Sequence, residues 1–159
     1  MPVRNIIIAI AAVMFMAVSC TSAKSSGTEA EKTVITLKAK TAQLVTKAEL
    51  MYNGDADCVA WWEKTSDEII WEMEVAEAGE YEVIPSVACD PQFPGSTVGI
   101  TVNDQTVSFK VPDTKGWSVY KSISAGKISL EAGSYKVVVK AIEVPGRFVA
   151  NLKKLRFVK

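Results

Sequence analysis

Trp71-Glu-Met-Glu-Val75-Ala-Glu-Ala-Gly79-Glu-Tyr81-Glu-Val83 is the stretch that decides the fold class. Apolar and acidic side chains alternate one for one on both sides of Ala78-Gly79. Successive side chains of an extended strand point to opposite faces, so each half buries one face and wets the other. On a helix this one-for-one alternation would put Trp71 and Met73 on opposite sides and leave no apolar stripe.

The same period extends outward from it. Val87 and Cys89 carry the second half further, with Ser86 on the opposite face. Val98, Ile100 and Val102 alternate with Gly99 and Thr101, and Tyr135, Val137 and Val139 alternate with Ser134, Lys136 and Val138. Turn formers stand between the runs: Asn103-Asp104, Gly116, Gly126, Gly133 and Pro145-Gly146. Val102-Asn103-Asp104-Gln105 reads as a two-residue hairpin. Pro85 lies inside a strand pattern, which predicts an edge strand or a break there. Residues 31–50 fit a helical period in part, but their Thr and Val content favours two strands, Thr33–Leu37 and Ala42–Thr46. Many short strands at near-regular spacing predict an all-β sandwich, jelly roll or barrel.

The N-terminus reads differently. Arg4 precedes an apolar run from Ile6 to Val18, followed by Ser19-Cys20. This is the pattern of a secretory signal, and the run is short for a membrane span of about 20 residues. Ala17-Val18-Ser19-Cys20 resembles the lipobox of bacterial lipoproteins. That resemblance implies cleavage after residue 19, lipid on Cys20, and membrane attachment through it. Thr21 to Glu31 holds no large apolar side chain and reads as a flexible tether. The expected organisation is signal peptide 1–19, lipidated cysteine and tether 20–31, and domain 32–159. An acidic run after the cysteine sends some lipoproteins to the cell surface. Here the first acid is Glu29, which favours an outer-membrane anchor facing the periplasm.

Composition removes several kinds of chemistry. There are 18 basic and 18 acidic residues and no basic stretch, so nucleic acid is not an expected partner. With no histidine, Ser-His-Asp and Cys-His catalysis and the usual zinc sites are excluded. A carboxylate pair drawn from Asp57, Glu63, Asp67, Glu68 and Asp90 is the one hydrolytic arrangement left. Outside the cytoplasm Cys58 and Cys89 permit a disulfide, with two buried thiols as the alternative.

Two stretches resemble carbohydrate-binding modules of families 6 and 35. The first is Trp62-Glu-Lys-Thr-Ser-Asp67 leading into the strand at Trp71 and then Gly79-Glu-Tyr81-Glu-Val83. The second begins at Gly95-Ser96-Thr-Val98 and passes through Thr114-Lys-Gly116-Trp117 and Leu130-Glu-Ala-Gly133. It ends at Asn151-Leu152. The order and spacing of these loose motifs carry the resemblance from about Lys32 onward. It implies a jelly-roll sandwich of two antiparallel sheets that binds a glycan without cleaving it. The implied site lies in loops at one end, with Trp62 and Trp117 flanking a sugar and Asn151 bonding it. Tyr120 would be a substitute ring. Sugar C–H faces pack on aromatic faces, and an amide offers a donor and an acceptor to neighbouring hydroxyls.

Relatives often hold a structural calcium ion with acids near the first strand and after the final Asn-Leu. Here Lys38-Ala-Lys40-Thr-Ala-Gln43 and Lys153 stand in those places, so no metal is expected.

The key side chains also have plain structural readings. Adjacent Trp61 and Trp62 point to opposite faces if extended, one in the core and one exposed, with both packed as the alternative. Trp71 alternates with core residues. Trp117 is a platform or a cap over the sandwich end. Asn151 is a ligand contact or a satisfier of backbone groups. Phe93 is a rim contact or a plug for its Pro-rich loop. The function expected is a membrane-tethered, non-catalytic module that holds polysaccharide near envelope glycosidases or sulfatases. The alternative is a structural or protein-binding lipoprotein whose sandwich has lost its sugar site.

Overall fold

Alternation in the sequence becomes strand after strand in the computed structural model, which describes residues 32–159. The expected signal peptide, Cys20 and the tether lie outside the described residues. The strands are β1 (Val34–Lys38), β2 (Gln43–Val45), β3 (Met51–Asn53), β4 (Cys58–Ala60), β5 (Glu68–Val75) and β6 (Gly79–Cys89). They continue as β7 (Thr97–Val102), β8 (Gln105–Lys110), β9 (Gly116–Ser122), β10 (Gly126–Leu130), β11 (Gly133–Glu143) and β12 (Asn151–Val158). The ambiguous segment after residue 31 forms two strands, β1 and β2, joined by a short 3-10 turn at Ala39–Thr41.

All pairings are antiparallel, in two sheets. One is five-stranded, ordered β2-β5-β11-β7-β8. The other is seven-stranded, ordered β10-β6-β12-β4-β3, with β1 also on β12 and β9 also on β6. This is a jelly-roll β-sandwich. Its core is the set of inward faces that the alternation marked: Ile69, Trp71, Met73 and Val75 of β5, and Val98, Ile100 and Val102 of β7. Val137 and Val139 of β11 join them against Tyr81, Val83 and Val87 of β6 and Leu152, Leu155 and Phe157 of β12. Trp71 is 2% exposed, and its Nε1–H donates to the Lys38 carbonyl at 2.9 Å, tying β1 to β5.

The β7–β8 connection is the expected two-residue turn, with Val102 opposite Gln105. Asn103 takes φ 54°, a left-handed conformation that asparagine tolerates. Pro85 corrects an expectation. β6 is unbroken and internal, paired with β12 along its length. On its other side β10 pairs up to Val83 and β9 begins at Ser86. The proline therefore sits where one neighbour gives way to the next, so its missing N–H interrupts no ladder on that side.

Cys58 and Cys89 are both buried and both free, so the disulfide is corrected to two thiols. Their strands, β4 and β6, are separated by β12. Two strand spacings put their backbones roughly 9–10 Å apart at least, beyond the reach of a bridge. Cys89 packs in the core between the sheets. Cys58 adjoins the inward Val59 and so faces the other side of its sheet.

Candidate functional site

β4 is only three residues long, and the chain leaves it through Trp61 at φ 57°. A bulky side chain rarely adopts this left-handed conformation. The bend throws Trp61 outward, 51% exposed, and drops Trp62 into the core at 1%. The Trp62 carbonyl then accepts the Val149 N–H at 2.8 Å, pinning this segment to the approach to β12. The exposed ring is therefore Trp61, and the assignment of a flanking ring to Trp62 is corrected. Adjacency in sequence left open whether one ring or both would pack, and the left-handed bend decided that only Trp62 does.

Trp117 is placed by the turn before it. Lys115 (φ 75°) and Gly116 (φ 148°) lie in the left-handed half of backbone space. Asp113 Oδ1 accepts the Lys115 N–H at 2.7 Å, and the Lys115 ammonium helps hold the Asp113 carboxyl below its ordinary range. The half-buried Trp117 ring stacks on Phe93, with centroids 6.1 Å apart and planes at 26°. Phe93 thus backs the ring as a plug of its loop. Trp117 also meets Phe148 edge to face at 5.6 Å and 83°.

Phe148 is the hub that the sequence reading did not single out. It meets Trp61 at 6.0 Å and 68° as well as Trp117. The Arg147 guanidinium lies 4.9 Å from its ring centroid, and Arg147 Nε donates to Glu63 Oε1 at 3.2 Å. An aromatic residue after Pro145-Gly146, in a turn just ahead of the Asn151 strand, was the available signal.

Trp61, Trp117 and Phe148 surround one cleft of about 300 Å³. Asn53 and Asn151 also line it, with Trp62, Ala60 and Ala150 completing the wall. Asn151 Nδ2 donates to the Trp117 carbonyl at 3.1 Å, so this amide both satisfies the backbone of β9 and borders the cleft. The structure thus brings Trp117 and Asn151 together with a buried Trp62. It does not bring in Tyr120, which is absent from the lining. The Tyr120 hydroxyl is buried and has no hydrogen-bond partner among the described residues. Burial first, and then the neighbouring Cys58 thiol, push its pKa well above the ordinary phenol value. The Lys153 ammonium sits 5.0 Å from the Tyr120 ring centroid, at the bulge that separates Leu152 from Lys154.

Among the described residues, no carboxylate lines this cleft. Each acid considered for hydrolysis has a partner elsewhere. Asp57 Oδ1 accepts from Tyr52, Asp67 Oδ1 from Thr46, and Asp90 Oδ1 from the Gln92 N–H. Glu63 pairs with Arg147 and Glu68 with Lys140. Among the described residues, no cluster of three or more His, Cys, Asp or Glu is placed to hold a metal ion.

No protein-family model and no curated protein sequence matches the chain. Solved structures do. A family 35 carbohydrate-binding module from Clostridium thermocellum superposes with a TM-score of 0.63 at 19% identity, over 79% of this chain and 97% of that one. The C-terminal family 6 module of a marine laminarinase from Zobellia galactanivorans gives 0.65 at 15% identity, over 80% and 100%. A family 6 module of lichenase 5A from Cellvibrio mixtus, solved in complex with cellotriose, gives 0.61 at 20% identity, over 79% and 96%. The described domain therefore shares the jelly-roll fold of the family 6 and family 35 carbohydrate-binding modules that its sequence motifs resemble.

Proposed function

We propose that this chain is a non-catalytic glycan-binding module, anchored to the bacterial outer membrane by lipid on Cys20 and facing the periplasm. The observation that carries the binding reading is the convergence of three rings, Trp61, Trp117 and Phe148, with the Asn151 amide around one cleft. Aromatic surface takes the C–H groups of a sugar, and fixed amides take its hydroxyls. A neighbour of the same fold was solved with cellotriose bound, which supports the same class of ligand. The lining contributed by the described residues holds no carboxylate, which supports binding without hydrolysis, since glycoside cleavage uses two acids across the bond. Envelope glycosidases or sulfatases would act on the chain that the module holds.

A glycan array probed with residues 28–159 tests this reading. That span contains both sheets and the whole core. Retention on at least one polysaccharide, lost in Trp61→Ala while the circular dichroism spectrum holds, is the expected result. Retention that survives both Trp61→Ala and Trp117→Ala would put the site elsewhere. The anchor has its own test. Cys20→Ala should stop incorporation of a labelled fatty acid and move the protein from the membrane fraction to the soluble one.

A further inference from the structure

The outer face of the seven-stranded sheet carries a row of cations with no acid partner. Leu155 and Phe157 of β12 and Leu37 of β1 face the core, so Lys154, Arg156 and Lys38 face out. Lys38 stands directly opposite Lys154 across the β1–β12 ladder, and Arg156 stands opposite Thr36. On the other side of β12, Lys154 and Arg156 meet Ser86 and Ile84 of β6. The bulge adds Lys153 as an extra residue. Its ammonium lies over the ring of Tyr120, which neighbours the outward-facing Cys58, so Lys153 belongs to the same face. The ion pairs among the described residues use Lys115, Lys127, Lys140, Arg147 and Lys159, and none of these four. The acid nearest by register on this face, Glu82, stands opposite Val158 and Lys127. Two lysines directly opposite one another destabilise a strand pair. Arg156 Nε is buried with no hydrogen-bond partner among the described residues, which is costly for a charged donor unless an anion or water meets it.

The row lies where the chain comes in from Cys20. Val34, 48% exposed, opens β1 opposite Val158, the last residue of β12. β1 pairs with β12 alone, so it is the edge of the sheet at this end. The cations follow along β12 from there, and the cleft sits at the far end of the same strand, at Asn151. Twelve residues lead from Cys20 to Lys32, and at full extension they span at most roughly 40 Å. A domain of this size is about 35 Å across. Lipid on Cys20 therefore keeps the domain within about its own width of the bilayer, and the β1 edge is its nearest part along the chain. Anionic headgroups attract basic side chains within a Debye length, about 8 Å at physiological salt.

We infer that this face docks on anionic phospholipid headgroups of the membrane that holds the anchor, with Lys38, Lys153, Lys154 and Arg156 on their phosphates and the cleft farther from the bilayer. This rests on the lipid-anchor reading above and adds a second contact to it. The test reconstitutes the full lipidated chain into vesicles of phosphatidylcholine alone, or of phosphatidylethanolamine and phosphatidylglycerol at 7:3. Lysine acylation is then followed residue by residue with mass spectrometry. Lys38, Lys153 and Lys154 should react about threefold or more slowly on the anionic vesicles, and about 1 M salt should remove that protection. Lys110 and Lys136 lie on the outer face of the other sheet, beside the inward Phe109 and Val137, and should react alike on both. Lys38→Gln with Arg156→Gln should return Lys153 to its rate on neutral vesicles. Lys38→Gln alone, at an exposed position, should return it part of the way and serves where the pair does not fold. Equal rates on both vesicle types, in a chain that carries the lipid, overturn the inference and leave the anchor standing. Stronger protection by soluble polygalacturonate than by anionic vesicles assigns the face to an acidic glycan and also overturns it. A chain that takes up no labelled fatty acid at Cys20 overturns the anchor reading and this one with it.

Discussion

The two sheets of this sandwich are built to different standards of regularity. In the five-stranded sheet, β5 and β11 pair without a break from Gly133↔Val75 to Lys140↔Glu68, β7 and β8 do so from Thr97↔Lys110 to their hairpin turn, and the one register shift, between Ala141 and Glu143, falls at the far end of β11. Its core faces are the plain alternation visible in the sequence. The seven-stranded sheet has register shifts between Leu152 and Lys154 on β12 and between Val87 and Cys89 on β6. The left-handed residues Asp57, Trp61 and Lys115 flank its strands β4 and β9. The cleft opens among these irregularities. A regular ladder buries its side chains in register and has no reason to present an aromatic ring to water. Bulges and left-handed turns re-aim side chains, and here they bring Trp61, Trp117 and Asn151 to one place.

If the regular sheet holds the fold and the irregular one holds the ligand, mutations should separate the two properties. The largest effect belongs to Trp71→Ala in β5. It removes a ring that is 2% exposed and strips the Lys38 carbonyl of its donor. A loss of about 3–5 kcal/mol in urea unfolding is expected, and a loss below about 1 kcal/mol would deny that sheet its supporting role.

Next comes Thr114→Val, beside the shifted part of β6. The buried Thr114 Oγ1 accepts the Cys89 N–H at 2.8 Å and lies 3.0 Å from the Cys89 carbonyl. Valine keeps the shape and leaves that N–H unmet, for a cost of about 1–3 kcal/mol. Glycan retention should fall with it, because this turn places Trp117. Retention at full strength in a clearly destabilised variant would uncouple the turn from the site.

Trp61→Gly sharpens the contrast furthest. A left-handed tryptophan costs roughly 1–2 kcal/mol over glycine, and the edge contact to Phe148 offsets about 0.5–1.5 kcal/mol of that. The unfolding free energy should therefore stay within about 1 kcal/mol of the parent, while retention on glycan falls at least tenfold. Collapse of the fold in this variant would mean the bend at residue 61 is structural.

The last effect vanishes at neutral pH. Burial pushes the Cys89 thiol from 9.0 up to about 11, with Asp90 and Asp113 adding to the rise. A folded-state pKa raised in this way contributes its stability in full below the unfolded value. That contribution is lost as pH climbs from about 9 toward 11, because the unfolded chain releases the proton first. Urea midpoints measured from pH 8 to 10.5 should fall, and Cys89→Ala should flatten the fall. An unchanged slope in that variant would assign the alkaline weakness to other groups, the buried Tyr120 phenol among them.

Strand identity, the core faces of β5, β6, β7 and β11, and the hairpin at Asn103 were legible because they follow from local period and turn chemistry. The pairing of Trp117 with Asn151 was legible only through motif resemblance. Phe148 went unread because a lone aromatic in a loop carries no period, and its partners lie far from it in sequence. The disulfide failed for the same reason, since nothing local reveals that β12 runs between Cys58 and Cys89.

By itself, then, the sequence determined that the chain alternates, where it turns, and which side chains leave water, since these depend on neighbours two to four residues away. Only the tertiary structure decided which of two adjacent tryptophans meets solvent. It also decided which way the Asn151 amide faces and which rings share a wall. Those outcomes depend on a left-handed bend and on carbonyls and N–H groups supplied by strands that meet only in the folded state.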